Sequence, residues 1–404
     1  MTGEAANDAT VLLGAFDRHN FGDLLFPHVV MRMLPRRRIL LAGAATRDLR
    51  PFGGHRVTAF ARLAAELGET RVDLLHVGGE LLTCDSWETV VMLSSPEQLQ
   101  ANIASEREWR NDGLAWSRAR LGYPTLAPYV VSRSSFPRLR LKHVSFNAVG
   151  GVDLDARAPA LKAEVLAALK AADAVSVRDR RTQAMLEPAG ISAPLRPDPA
   201  VMIEALFGAR IARHASRGAV REVLEALPGG YAAVQFSADF GDDETLDALA
   251  RQLDRVAESC RLGIAFFCAG TAPWHDDIAC YERVAVRMRS PKAKIFIFGS
   301  LNIWDICALI ARSRVYCGSS LHGRIVALAF ALPRVNFSHP RQTIAATKQA
   351  AFASTWEDDE TGTVVGIPDI HHAVSAALAA DARTLAQTAK RLARCYQESF
   401  ELPA

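Results

Sequence analysis

Several familiar functional classes are missing from this 404-residue chain. No apolar run reaches the ~18 residues that a membrane-spanning helix needs. The seven cysteines (84, 260, 268, 280, 307, 317 and 395) are odd in number and contain no Cys-x-x-Cys pair. They therefore favour buried thiols in a reducing cytoplasm over a disulfide framework. Charge of one sign is lacking too. With 47 basic and 44 acidic residues the net charge is +3, which gives no reason to expect nucleic acid or another polyanion as partner. The histidines (His19 and His28, His371 and His372, the isolated His76, His143, His275 and His339) assemble no ligand spacing, so no metal is expected. Gly-x-Ser-x-Gly is absent, which argues against a nucleophile-elbow hydrolase. The N-terminal Met-Thr-Gly-Glu-Ala-Ala-Asn-Asp is acidic and polar and does not read as a signal peptide. There is no internal repeat and no low-complexity segment.

What is present is alternation. Short apolar runs at 10–13, 38–42, 72–77, 141–146 and 174–177 read as strands of a parallel sheet covered on both faces. Helical patterns at 24–34, 57–67, 159–172 and 181–189 lie between them. Residues 84–140 break the rhythm, with Trp87, Trp109 and Trp116, and read as an insertion. Proline and glycine between 194 and 228 mark a domain boundary. A second series follows, with strands at 231–236, 264–268, 294–298, 315–317 and 334–337. The length suits two domains. The expected architecture is α/β, with two doubly wound Rossmann-like lobes and a cleft between them. Residues 1–205 form the first lobe, 206–375 the second, and 376–404 a helix packing back across both.

The most informative stretch is 314–337. Strand 315–317 runs into Gly318-Ser319-Ser320, and a helix then begins at Leu321-His322-Gly323 and stops at Pro333. Open α/β sheets bind ligands at the carboxyl ends of their strands. A helix start there offers N–H groups and partial positive charge to a phosphate or carboxylate, and His322 could add a proton or a charge. Equally, Ser320 could be only a cap and His322 an ordinary first-turn residue.

Other strand ends carry their own signals. The first reads Gly14-Ala15-Phe16-Asp17-Arg18-His19-Asn20-Phe21-Gly22-Asp23, a strand-to-helix turn able to cradle an anion. Phe16 breaks a Gly-x-Gly-x-x-Gly match and no Walker lysine follows, so a dinucleotide or P-loop reading is weak. Gly78-Gly79-Glu80 ends the third strand, where small residues admit a ligand or another backbone. Asn147 follows the strand after the insertion and could donate to an oxygen or fix its loop. Arg178, in Ser-Val-Arg-Asp, could clamp a carboxylate or phosphate, or form a salt bridge with Asp179 or another loop acid. Asp198, between two prolines, could act as acid or base or only shape a turn.

Taken in order, the turn at 14–23, Gly78-Gly79, Ser176-Val177-Arg178-Asp179, Pro197-Asp198-Pro199 and Ser320-Leu321-His322-Gly323 with Pro333 resemble the polysaccharide pyruvyl transferase family, from about residue 10 to about 340. Many members carry Arg where this chain has Ser320, and a longer glycine run where it has Gly78-Gly79-Glu80. The resemblance implies a fold like that of GT-B glycosyltransferases. It also implies transfer of the pyruvyl group of phosphoenolpyruvate onto a cell-surface glycan or its precursor, as a ketal and with no further cofactor. Arg178 would hold the donor's anionic groups, and His322 would lie near its phosphate. On that basis His322, Asp23 and Asp198 are the catalytic candidates. Arg178, Ser319, Ser320, Leu321, Gly323, Asn20, Gly22, Gly78, Gly79 and Asn147 are the binding candidates. The insertion's aromatics would offer an apolar face to a sugar. The competing readings are a GT-B-type glycosyltransferase using a nucleotide sugar, and a non-catalytic descendant that binds a glycan or a partner.

Overall fold

The computed structural model describes residues 9–35, 37–358 and 364–400. Residues 1–8, on which the expectation of no signal peptide rests, lie outside these. The chain divides into two compact units, Met1–His19, Asp23–Pro199 and Gln397–Ala404 in the first, Asn20–Gly22 and Ala200–Tyr396 in the second.

The first unit is built on a seven-stranded sheet. Its strands are β1 (Ala9–Leu13), β2 (Arg38–Gly43), β3 (Arg47–Asp48), β4 (Arg56–Ala59), β5 (Arg71–Val77), β6 (Arg140–Val149) and β7 (Ala174–Val177), in the order β3-β4-β2-β1-β5-β6-β7. All pairings are parallel except β3 with β4. Every residue of β1 is buried, as expected of a central strand covered on both faces. Two expectations change here. Val57–Ala59 are strand, because β-branched Val57 and Thr58 extend the sheet, with Thr58 in register with Ala42; the helix begins at Phe60. Asn147 lies inside β6 rather than after it.

The insertion folds into four short helices, Ser86–Met92, Pro96–Ala104, Glu106–Asn111 and Gly113–Leu121. Its aromatics serve packing. Trp87 Nε1 donates to Asn102 O at 3.0 Å and Trp109 Nε1 to Ser86 Oγ at 2.9 Å. Trp116, Tyr123 and Tyr129 are buried. Trp87 and Trp109 keep part of their surface, and the other three are packed inside.

The second unit holds six strands: β8 (Tyr231–Gln235), β9 (Gly263–Phe267), β10 (Ile295–Phe298), β11 (Val315–Gly318), β12 (Arg334–Ser338) and β13 (Val364–Gly366). They run parallel in the order β10-β9-β8-β11-β12-β13. The division falls at Pro199/Ala200 rather than at 205/206. Ala200 opens into helix Ile203–Ala215, which packs on helix Ile303–Arg312 through Phe207 against Trp304 (ring centroids 5.1 Å) and His214 Nδ1 against Asp305 Oδ1 (2.6 Å). Among the described residues no helix is long and apolar enough to cross a membrane.

Chain direction reverses beside β1 in one sheet and beside β8 in the other. Such switch points open a crevice at the carboxyl ends of the strands. The loops after β1 and β5 flank the first switch point, and those after β8 and β11 flank the second.

Candidate functional site

At the carboxyl edge of the first sheet the charges are matched against one another. Arg178, 2% exposed, follows β7. Its Nη1 donates to Asp198 Oδ2 at 3.0 Å and its Nη2 to Glu80 Oε2 at 2.5 Å. Burial works against the guanidinium charge, but Glu80, Asp198 and Asp179 outweigh it and hold the pKa above its ordinary value. Glu80 Oε1 also accepts from Val152 N at 2.6 Å. Arg178 is thus tied to two loop acids, Glu80 and Asp198, with the charge of Asp179 nearby. Asp198, the candidate acid or base, is wholly buried against Arg178. Asp179 caps the next helix, accepting from Thr182 N at 2.7 Å.

Nearby, Asp23 is buried 3.8 Å from Arg18. Arg18 donates to Tyr129 OH at 3.1 Å, and Tyr129 OH to Asp17 Oδ1 at 2.8 Å. Gly78 and Gly79 have φ of 56° and 72°, which only glycine adopts without cost. A Cβ on Gly78 would strike the Phe26 ring at 2.7 Å, and one on Gly79 would sit 3.4 Å from Asp23 Oδ1. These glycines therefore serve backbone shape and close packing. Asn147, buried, accepts from Arg196 Nη1 at 2.9 Å and so fixes its neighbour.

The edge of the second sheet is built from neutral donors and acceptors around one helix start. Gln235, the last residue of β8, is the hub. Its Oε1 accepts from Ser320 N at 2.8 Å, its backbone O from Ser319 N at 3.1 Å, and its Nε2 donates to Asp276 Oδ1 at 2.8 Å. Ser320 caps helix Leu321–Ala329, its Oγ accepting from Gly323 N at 3.2 Å. Tyr316 OH receives Ser320 N at 3.1 Å and donates to Ser320 O at 2.9 Å. A Cβ at Gly318 or Gly323 would meet that tyrosine at 2.5 or 2.4 Å, so both glycines are small to admit the ring. The amides of Ser319, Ser320 and Gly323 are therefore engaged within the protein. The Leu321 side chain is core.

His322, 8% exposed, lies in the first turn. Asn20, Phe21 and Gly22, which group with this unit, wrap against it. A Cβ on Gly22 would fall 2.0 Å from His322 Cγ and Nδ1. Asn20 Oδ1 accepts from Gly22 N at 3.2 Å and Phe21 N donates to Ala269 O at 2.8 Å. The structure thus brings together Asn20, Gly22, Ser319, Ser320, Leu321, His322 and Gly323. It groups Arg178, Asp198, Gly78, Gly79, Asp23 and Asn147 at the other sheet's edge.

Arg324, one turn into the helix, is fully buried. Its Nε donates to Glu357 Oε1 at 2.6 Å, and Arg334 Nε donates to Glu357 Oε2 at 2.8 Å. It braces the helix from within, and its Nη1 donates to Asn336 Oδ1 at 3.3 Å; Asn336 Nδ2 donates in turn to Ser320 O at 3.1 Å. Sequence reasoning missed Gln235 and Asp276. Asp276, half-buried as a residue, turns its carboxyl inward onto Gln235 and Ala269 N (2.6 Å). Burial pushes its pKa up to about 7 against the pull of those hydrogen bonds. The only signal in the sequence was an acid in the loop after β9.

Residues 157–340 match the model of the family described as polysaccharide pyruvyl transferase. The resemblance is borne out over that segment, which holds Arg178, Asp198 and the whole helix-start motif. The motifs at 14–23 and 78–79 precede it. No curated protein matches the chain. Among solved structures, the Staphylococcus aureus MnaA–UDP co-structure is similar at TM-score 0.53 and 10% identity, over 95% of this chain and 91% of that one. The Methanocaldococcus jannaschii UDP-GlcNAc 2-epimerase in complex with UDP-GlcNAc and UDP is similar at TM-score 0.53 and 10% identity, over 96% and 98%. At that identity the likeness establishes the fold, a pair of Rossmann-like units of the GT-B type.

Proposed function

We propose that this protein is a transferase moving the pyruvyl group of phosphoenolpyruvate onto sugar hydroxyls of a cell-surface polysaccharide or its precursor, forming a ketal in the cytoplasm. The observation that carries the reading is the start of helix Leu321–Ala329 at the second switch point, with His322 in its first turn, inside the segment that matches the family. Helix-start amides and the positive end of the helix dipole suit a phosphate. In this reading His322 protonates the methylene carbon of the donor, and positive charge develops at its neighbour. A sugar hydroxyl attacks that carbon and gives its proton to a carboxylate. Asp23, next in sequence to Gly22, is the candidate. A second hydroxyl closes the ring as the C–O bond to phosphate breaks, and its proton passes to the departing phosphate. The reading calls for no cofactor.

One observation favours a second reading, a non-catalytic glycan-binding descendant: the expected donor cation Arg178 is engaged by Glu80 and Asp198. Thermal unfolding with millimolar phosphoenolpyruvate, against UDP, GDP and phosphate, separates the readings. Stabilisation selective for phosphoenolpyruvate and lost in His322→Ala is expected. Stabilisation by a nucleoside diphosphate alone would point to nucleotide-sugar transfer. No response to any of the four would favour the non-catalytic reading.

A further inference from the structure

Trp274 is 46% exposed, and it is the one aromatic among the exposed large hydrophobic side chains of the described residues. A lone exposed hydrophobic is ordinary. The backbone beneath this one is not. Trp274 has φ of 66°, a left-handed conformation that costs a bulky residue about 1–3 kcal/mol and persists only where its surroundings enforce it.

The enforcement is visible on both sides. Asp276 Oδ2 accepts from Ala269 N at 2.6 Å, and Asp276 N donates to Gly270 O at 3.1 Å. His275 N donates to Ala272 O at 3.0 Å, and His275 O accepts from Ala238 N at 2.8 Å. The loop after β9 is thereby folded back on itself with the indole at its tip.

The same loop is tied twice to the helix start. Asp276 holds Gln235, which holds Ser320 N. Ala269 O accepts from Phe21 N, and Asn20 bridges Gly270, in the segment whose Gly22 lies against His322. Ile278, 45% exposed at the start of the following helix, adds apolar surface close by in sequence.

We propose that Trp274 is the platform on which a pyranose ring of the acceptor glycan stacks by its C–H face. The proposal rests on the pyruvyl-transfer reading for the identity of the acceptor. A rigid indole offers a large apolar area with few torsions to freeze, and a pyranose offers a complementary C–H face. The strained backbone turns that ring outward where a core tryptophan would turn in. The links through Gln235 and Phe21 fix it in register with the helix start.

The test is intrinsic tryptophan fluorescence of the full chain, with phosphoenolpyruvate present. The probes are methyl glycosides of glucose, galactose, mannose and N-acetylglucosamine. At least one glycoside should give a saturable change in the wild-type emission that disappears in Trp274→Phe, although calorimetry still detects binding to that variant. In Trp274→Ala the glycoside affinity should fall about five- to tenfold, and Trp274→Phe should recover most of it. Both variants should keep the thermal response to phosphoenolpyruvate. Glycoside binding unaltered in Trp274→Ala would overturn the proposal, and so would no binding of any of the four to the wild type. Loss of the phosphoenolpyruvate response in the wild type would instead defeat the transfer reading, leaving the glycoside titration to judge Trp274 separately.

Discussion

At the carboxyl end of the first sheet, Arg178 lies between Glu80 and Asp198, and Arg18 between Tyr129 and Asp23. At the corresponding place in the second sheet, Gln235, Tyr316 and Ser320 make a neutral network around a helix start, and the buried cations Arg324 and Arg334 are paired with Glu357. Both edges flank a switch point, and both drew candidate residues from the sequence. A buried guanidinium bonded to two carboxylates has little attraction left for a third anion, because its field is already answered at close range. A helix start keeps its positive end even when its flanking amides are engaged.

The strongest way to break this comparison is to remove one residue from each edge. His322→Ala should lower transfer by about 10²- to 10⁴-fold, the usual contribution of a positioned acid or base, with denaturant stability close to wild type. Arg178→Ala should do the reverse first. It leaves Glu80 and Asp198 buried without their cation, a change that costs about 3–5 kcal/mol, to be read from urea unfolding. If Arg178→Ala unfolds like wild type yet loses its response to phosphoenolpyruvate, Arg178 is a donor cation after all.

The difference between the edges also explains what the sequence could tell. The alternation of apolar runs revealed the inner strands of both sheets, because buried parallel strands have no polar face to disguise them, but the short outer strands β3, β4 and β13 were not read from it. The cap at Ser320 and the histidine two residues further were legible because capping is local chemistry. The identity of Arg178's partners was hidden: Glu80 lies 98 residues away, and nothing in Gly-Gly-Glu announces the pairing. Gln235 was invisible for the opposite reason, since a neutral residue at a strand end becomes a hub only once β8 and β11 are neighbours. The tryptophans of the insertion suggested a sugar face by composition alone, whereas exposure singles out Trp274.

A smaller effect sharpens the comparison through pH. His76, in the first unit, is buried between Ser145 O and Val131 N, and burial lowers its pKa to about 3. The unfolded chain takes up that proton near pH 6.5 and the fold does not, so this group's contribution declines as pH falls from about 6.5 toward 3. Asp276, in the second unit, is raised to about 7. There the unfolded chain releases its proton near pH 4 and the fold retains it, so the contribution declines as pH rises from about 4 to 7. Across the same window the two units carry opposite slopes. Urea unfolding at several pH values should find His76→Gln gaining on wild type toward acid and Asp276→Asn gaining on wild type toward neutrality. Parallel curves for either variant would remove that group from the account.

The smallest expected effect lies at the helix start itself. Ser320→Ala removes the oxygen that accepts from Gly323 N, and loss of such a cap costs about 1 kcal/mol. Ser320 N would still be held by Gln235 Oε1 and Tyr316 OH, because those bonds use the backbone and not the hydroxyl. The helix should therefore keep its position while its first turn loosens. That predicts a modest loss of stability with the phosphoenolpyruvate response retained but weakened. A variant with unchanged stability would mean that the backbone bonds alone set the turn. A variant with unchanged stability and no response would instead make the Ser320 hydroxyl itself a ligand of the donor, a role that its bond to Gly323 currently fills.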